Sequence, residues 1–179
     1  ATLLDPALAG EVPWDSVRVW QVDERVAADG DPARNALQLT DLPCRVFPMP
    51  VTAADLRAAA RRYAAGLPER FDVVHLGLGP DGHTASWPPG APEIAASPRP
   101  VEVIPFEFNG WPRMTLTASV VNGARARALL TSGADRRVML ERWLLGDTTV
   151  PIGTVKRTGT WAFIDAAAAP SAPLEPIPR

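Results

Sequence analysis

The chain of 179 residues contains a single cysteine, Cys44, and only two histidines, His75 and His83. One cysteine excludes a disulfide within the chain and is typical of a reducing compartment, so we expect a cytoplasmic protein. The sequence also has no H-x-x-x-H or C-x-x-C spacing, which are common arrangements of metal ligands. We therefore predict no metal and no other cofactor.

Long apolar runs and an excess of charge of one sign are also absent. The formal net charge is −2, which gives no indication of a nucleic-acid-binding surface. No apolar stretch approaches the roughly 20 residues of a membrane-spanning helix, and we find no signal-peptide pattern. Hydrophobic residues make up 46% of the chain and charged residues 21%, as in an ordinary globular domain. We expect one domain over residues 1–169, followed by a proline-rich tail over residues 170–179.

Strand-like and helical segments alternate along the chain. Strands are predicted over residues 17–22, 45–47, 71–78, 101–104, 114–121, 128–131 and 161–164, and helices over residues 33–39, 56–65 and 134–145. The run over residues 71–78 is apolar on both faces, which is typical of a central parallel strand covered by helices. His75 lies inside this run and is expected in the core. The alternation predicts an α/β domain with a mostly parallel sheet.

The most informative segment follows this central run and reads G-L-G-P-D-G-H-T-A-S from Gly77 to Ser86. Ligands of open α/β sheets bind beyond the carboxyl ends of the strands. Gly79 and Gly82 permit a tight loop, and we expect backbone N–H groups there to bind an oxygen that gains negative charge. His83 can take a proton from water, and Asp81 can hold its other ring nitrogen. The alternatives are a structural loop histidine and an Asp-Gly turn.

Several segments together resemble the 6-phosphogluconolactonase family. They are W-D-x-V-x-V-x-x-x-D-E-R from Trp14, D-P-x-x-N from Asp31, G-L-G-x-D-G-H-T-A-S from Gly77, R-x-T-L-T from Arg113 and T-S-G-A-D-R from Thr131. Their order and approximate spacing match the family from about Trp14 to about Asp165. The resemblance covers most of the chain and is specific.

The resemblance implies a three-layer Rossmann-like domain that hydrolyses 6-phospho-D-glucono-1,5-lactone to 6-phosphogluconate in the oxidative pentose phosphate pathway. The partner it implies is this small sugar-phosphate lactone, with neither nucleic acid nor membrane. His83 would be the general base that activates water, with Asp81 as its partner. The family's D-E-R arginine lies by the substrate phosphate, which assigns that role to Arg25, whose guanidinium suits a phosphate. An ion pair with Asp23 or Glu24 is the alternative for Arg25. Arg136 stands where relatives have a lysine, and it is the second candidate for the phosphate.

Two other functions remain open. An amino-sugar-phosphate isomerase or deaminase of the same superfamily reads D-G-H-x-A-F-N-E-P and D-E-Y, whereas this chain has Pro88 in place of the glutamate and Arg25 in place of the tyrosine. A non-catalytic sugar-phosphate-binding homologue is the second alternative. Family members carry a phosphate-binding G-G-S-T-P loop before the matched region. That loop is not found in this sequence, and Arg136 replaces the family's lysine.

Overall fold

The computed structural model describes residues 10–171, which form eight strands and four α-helices. The strands are β1 (Arg18–Trp20), β2 (Asp23–Arg25), β3 (Arg45–Phe47), β4 (Val73–Gly77), β5 (Val101–Phe108), β6 (Trp111–Leu116), β7 (Ala126–Thr131) and β8 (Thr160–Ile164). The helices are α1 (Leu56–Ala65), α2 (Pro92–Ala95), α3 (Ala118–Gly123) and α4 (Arg137–Leu144). Most of the predicted tail, residues 172–179, lies outside the described part. None of the helices within residues 10–171 is long and apolar enough to cross a bilayer.

The strands form three small sheets. β1 pairs with β3 in parallel, and β4, β7 and β8 form a second parallel sheet in the order β4-β7-β8. β2, β6 and β5 form an antiparallel sheet in the order β2-β6-β5. Most of these strand pairs are parallel, so the prediction of an α/β fold with mostly parallel sheets is confirmed.

Helix α1 has the predicted bounds, and its packing is explained by its sequence. Asp55 caps its start, because the side chain accepts a hydrogen bond from the N–H of Ala58 at 2.9 Å. One face buries Ala59, Ala60 and Tyr63. The hydroxyl of Tyr63 lies 3.0 Å from the carbonyl oxygen of Gln21 and 3.1 Å from that of Phe47. This hydroxyl therefore ties the helix to the ends of β1 and β3.

Several predicted strands have the wrong bounds, and β5, for example, extends from the predicted residues 101–104 to Phe108. The strand expected over residues 17–22 ends after Trp20, because the side chain of Gln21 turns inward. It accepts a hydrogen bond from the N–H of Met49 at 2.7 Å and donates one to Glu24 at 2.8 Å, and a new strand then begins at Asp23. The strand expected over residues 114–121 ends at Leu116. The remainder forms α3, so its two valines belong to a helix rather than to a strand.

The described residues cover only one face of the β4-β7-β8 sheet. Val74, Leu76 and Leu129 are buried on the covered face. Apolar side chains on the other face are exposed, with Val73 58%, Leu130 47%, Trp161 69% and Phe163 54% accessible. The prediction that residues 71–78 are buried on both faces is therefore wrong for this part of the chain. His75 is exposed as well and is not a core residue.

A buried carboxylate, that of Glu24, organises the loop after β2. Burial raises the pKa of Glu24, but hydrogen bonds to its carboxylate outweigh burial and hold this pKa below its usual value. Arg34 Nε lies 3.1 Å from the same carboxylate. The donors are Gln21 Nε2 at 2.8 Å and the backbone N–H groups of Arg25 at 2.7 Å, Asn35 at 2.7 Å and Ala36 at 2.9 Å. Because they come from both ends of residues 21–36, Glu24 closes this segment on itself.

We predict that Glu24→Gln lowers the free energy of unfolding by about 1.5–3 kcal/mol, because it removes one of the two carboxylates beside buried Arg34 and turns an amide donor toward other donors. The carboxylate's contribution is present above its unfolded pKa of about 4.3 and is lost as the pH falls through its lower folded pKa. The difference between the wild type and the variant should therefore shrink in acid. Urea unfolding at several pH values measures it. The exposed Glu69→Gln is the matched control, and an equal loss in both variants would contradict this role.

Candidate active site

The loop after β4 folds back on itself at the carboxyl end of the strand. The N–H of Gly79 donates to the carbonyl of His83 at 2.8 Å, and the N–H of Gly82 donates to the carbonyl of Gly79 at 3.0 Å. Gly82 has a φ of +87°, which favours glycine. Both N–H groups are thus engaged within the loop. The expectation that the amides of Gly79 and Gly82 face a substrate oxygen is corrected accordingly: these glycines shape the loop.

Asp81 and His83 form a hydrogen-bonded pair in this loop. Oδ1 of Asp81 lies 2.5 Å from Nδ1 of His83, and about a quarter of the His83 side chain is exposed. Burial raises the pKa of Asp81, but the hydrogen bonds from the His83 ring and backbone outweigh burial and hold this pKa below its usual value. An ionised carboxylate only accepts, so Nδ1 carries the proton. When the ring carries only this proton, Nε2 is the nitrogen that can accept another.

The absence of a side chain at position 79 makes room for this pair. A Cβ atom there would overlap the imidazole of His83 and would lie 2.8 Å from Oδ1 of Asp81. By contrast, a Cβ atom at Gly77 would meet nothing within 4 Å. Gly79 is therefore required by the close approach of the acid and the imidazole, and Gly77 is not.

A second polar cluster joins this loop to two strands, and we did not predict it from the sequence. Oδ2 of Asp23, on β2, accepts a hydrogen bond from the hydroxyl of Ser86 at 2.6 Å, and Nη1 of Arg113, on β6, lies 3.8 Å from the same oxygen. Burial raises the pKa of Asp23, although Ser86 and Arg113 oppose this shift. The N–H of Ser86 donates to the hydroxyl of Thr115 at 3.2 Å. In the sequence, the only indication of this cluster is that its residues lie within the D-E-R, G-L-G-x-D-G-H-T-A-S and R-x-T-L-T segments.

Arg25 is held by the loop that follows β2. Its Nη1 donates to the carbonyl of Ala33 at 2.5 Å and to Oδ1 of Asn35 at 3.1 Å. The alternative for Arg25 was an ion pair with Asp23 or Glu24. Among residues 10–171 the structure shows no such ion pair. The half-buried guanidinium is fixed at one nitrogen. Within the same range no hydrogen bond joins its Nε or Nη2 to the protein.

Arg136 lies against the end of β4. Its Nε donates weakly to the carbonyl of Leu78 at 3.4 Å, while Nη1 pairs with both oxygens of Asp135 at 2.6 Å. The structure thus places Arg136 beside the loop of Asp81 and His83, but already paired with a carboxylate. In the described part of the chain, no group of three or more His, Cys, Asp or Glu side chains is placed to hold a metal ion.

Parallel strands that end in a loop with an acid–imidazole pair define an α/β protein with a candidate ligand site at the strand ends. Sequence comparison identifies which one: the chain belongs to the family of glucosamine-6-phosphate isomerases and 6-phosphogluconolactonases, whose model matches residues 1–163. The resemblance found in the sequence is therefore confirmed. A 6-phosphogluconolactonase of Synechocystis is 33% identical over 70% of this chain, and one of Streptomyces coelicolor is 32% identical over 96%. The chain spans 59% of the length of the Synechocystis relative and 78% of the Streptomyces one.

Solved structures agree on the fold. The 6-phosphogluconolactonase of Thermotoga maritima superimposes with a TM-score of 0.75 at 22% identity, over 86% of this chain and 74% of that one. A monomeric glucosamine-6-phosphate deaminase gives a TM-score of 0.75 at 19% identity, over 93% of this chain and 79% of that one. Both are similar to this chain in fold, which supports the Rossmann-like three-layer assignment and does not separate the two activities.

We predict that Gly79→Ala separates Asp81 from His83 and lowers the free energy of unfolding by about 1–3 kcal/mol, because the added methyl overpacks the loop. Gly77→Ala is the matched control and should change stability by less than about 0.5 kcal/mol. Thermal unfolding measures the loss of stability, and the NMR signals of His83 report its separation from Asp81, with His75 as the internal reference. Unmoved His83 signals in a folded Gly79→Ala variant would contradict the steric argument.

Proposed function

We propose that the protein is a carboxylic ester hydrolase that opens 6-phospho-D-glucono-1,5-lactone to 6-phosphogluconate. The observation that carries this proposal is the hydrogen-bonded Asp81–His83 pair at the end of β4, in which Asp81 holds Nδ1 and leaves Nε2 as the nitrogen that can take a proton. Relatives named 6-phosphogluconolactonase, 32–33% identical to this chain, support the choice of substrate.

The pair provides what lactone hydrolysis needs. Water attacks the C1 carbonyl as Nε2 of His83 takes its proton, and Asp81 stabilises the imidazolium that forms. The tetrahedral intermediate then collapses, the bond between C1 and the ring oxygen breaks, and the ring oxygen takes the proton from the imidazolium. The products are a free hydroxyl and a carboxylic acid that releases its proton to water, so no cofactor is consumed.

Arg25 and Arg136 are the proposed ligands of the substrate phosphate. Arg25 supports this role better, because its Nε and Nη2 donors remain available in the described structure while Nη1 fixes the guanidinium in place. Arg136 would have to share its charge with Asp135, to which it is already paired. We therefore assign the larger part of the phosphate affinity to Arg25.

The two alternative functions differ from this proposal in their chemistry. A ring-opening deaminase needs further acid–base groups, and Pro88 stands here where that family has a glutamate. A homologue that only binds sugar phosphates would not need an acid–imidazole pair. The following two experiments separate these possibilities, because one measures turnover and the other measures binding alone.

We predict that His83→Asn lowers kcat/KM for the lactone at least about 100-fold, since a general base contributes roughly 10²- to 10⁴-fold. The melting temperature should change little, because the side chain is partly exposed. His75→Asn, which changes the other histidine, is the matched control and should retain activity. The assay must subtract spontaneous opening of the lactone. Equal activity of His83→Asn and the wild type would assign the base to another group.

We predict that Arg25→Lys weakens binding of 6-phosphogluconate about tenfold, or about 1.4 kcal/mol, because an ammonium group cannot reproduce the forked contact of a guanidinium. Isothermal titration calorimetry measures this change in Kd. Arg61→Lys on the exposed side of α1 is the control for the loss of one guanidinium. Unchanged affinity in Arg25→Lys would mean that other groups hold the phosphate.

A further inference from the structure

The β5–β6 hairpin brings an aromatic residue to the candidate site. Asn109 and Gly110 form its two-residue turn, with φ values of +50° and +79°, as the tight turns of hairpins require. Phe108 and Trp111 are paired on either side of this turn. Phe108 is only 9% exposed although it lies at the end of a hairpin, so the tip packs against the protein.

The residue that Phe108 packs against is His83. The two ring centroids are 5.2 Å apart, and the ring planes meet at 85°, which is a favourable edge-to-face arrangement. The hydrogen bond from Nδ1 to Asp81 restrains one edge of the imidazole, and rotation about the side-chain torsions of His83 would lengthen this bond. A ring contact at right angles restricts this rotation. The two contacts together determine where Nε2 lies.

Phe108 is itself held in place by Arg113. Nε and Nη2 of this guanidinium donate to the carbonyl of Phe108 at 3.1 and 3.0 Å. The guanidinium carbon Cζ of Arg113 lies 5.2 Å from the centre of the Phe108 ring. Arg113 is 5% exposed, and its Nη1 lies 3.8 Å from Asp23, which binds Ser86. The hairpin is thereby tied to the same loop that carries His83.

We propose that Phe108 is the positioning residue of His83, held against the imidazole by Arg113. The proposal rests on the proposed function, in which His83 is the general base. Phe108 acts through His83 and takes no part in proton transfer. Its loss should therefore reduce the rate of the chemical step and leave substrate affinity unchanged, because misplacement of a catalytic group by even 1 Å can cost about 100-fold.

The kinetic test compares variants on one strand. Phe108→Leu should lower kcat for the lactone about tenfold with KM unchanged, and Phe108→Tyr, which keeps the ring, should restore most of the rate. Phe106→Leu is the matched control, because Phe106 lies on the same strand and is 46% exposed. A raised KM with unchanged kcat in Phe108→Leu would instead make Phe108 a substrate contact and would overturn the proposal.

An NMR measurement tests the proposal without activity. With only two histidines in the chain, the ¹⁵N shifts of His83 report its tautomer, and His75 is the reference. We expect the Nδ1–H form in the wild type. In Phe108→Leu we expect averaging between tautomers, because a ring that rotates away from Asp81 loses the hydrogen bond that keeps the proton on Nδ1. Unchanged ¹⁵N shifts in that variant would contradict positioning. Thermal unfolding establishes that each variant folds, and Phe108→Met, whose unbranched side chain adapts better to the space left by the ring, is used if Phe108→Leu does not fold.

These readouts distinguish failure of the inference from failure of the proposed function. If His83→Asn retains full activity, the proposed base is wrong, whatever the tautomer does in Phe108→Leu. If His83→Asn is inactive while Phe108→Leu has wild-type kcat and an unchanged tautomer, the base is right and the positioning role of Phe108 is wrong.

Discussion

The arrangement of the site depends on the burial of one negative charge, that of Glu24. Successive side chains of a strand point to opposite sides, so fixing Glu24 inward in β2 presents Asp23 and Arg25 on the other side. The donors around Glu24 hold its side chain on the inner side of this three-residue strand. Asp23 can then reach Ser86, and Arg25 is clamped by Asn35, which also donates to the backbone of Asp23 at 3.1 Å.

Polar contacts of Asp23 connect β2 to the loop after β4 and to the β5–β6 hairpin. Asp23 contacts both the loop after β4 and Arg113 of β6, and Arg113 binds the carbonyl of Phe108. Three motifs that are far apart in the sequence thus meet in one connected cluster. In this cluster D-E-R provides the carboxylate of Asp23, H-T-A-S the hydroxyl, and R-x-T-L-T the guanidinium that links both to the hairpin.

Local patterns predicted those parts of the fold that are determined locally. Helix α1, strand β3 and the loop of Asp81 and His83 could be located because their caps, apolar runs and glycines lie within the segments themselves. The break at Gln21 could not be predicted, because it depends on contacts with Glu24 and Met49. The place of Phe108 could not be predicted either, since no motif contains it and its contact with His83 joins residues 25 positions apart.

The Asn109-Gly110 turn has a chemical consequence of its own. In an Asn-Gly sequence the backbone nitrogen of the glycine attacks the asparagine side chain most readily, because no Cβ on the glycine stands in the way. The resulting succinimide opens mainly to isoaspartate, which lengthens the main chain by one carbon. A two-residue turn has no slack to absorb that carbon, and the residue next to it is Phe108. Spontaneous ageing of this single exposed asparagine would therefore disturb the alignment of the imidazole while the rest of the fold stays intact.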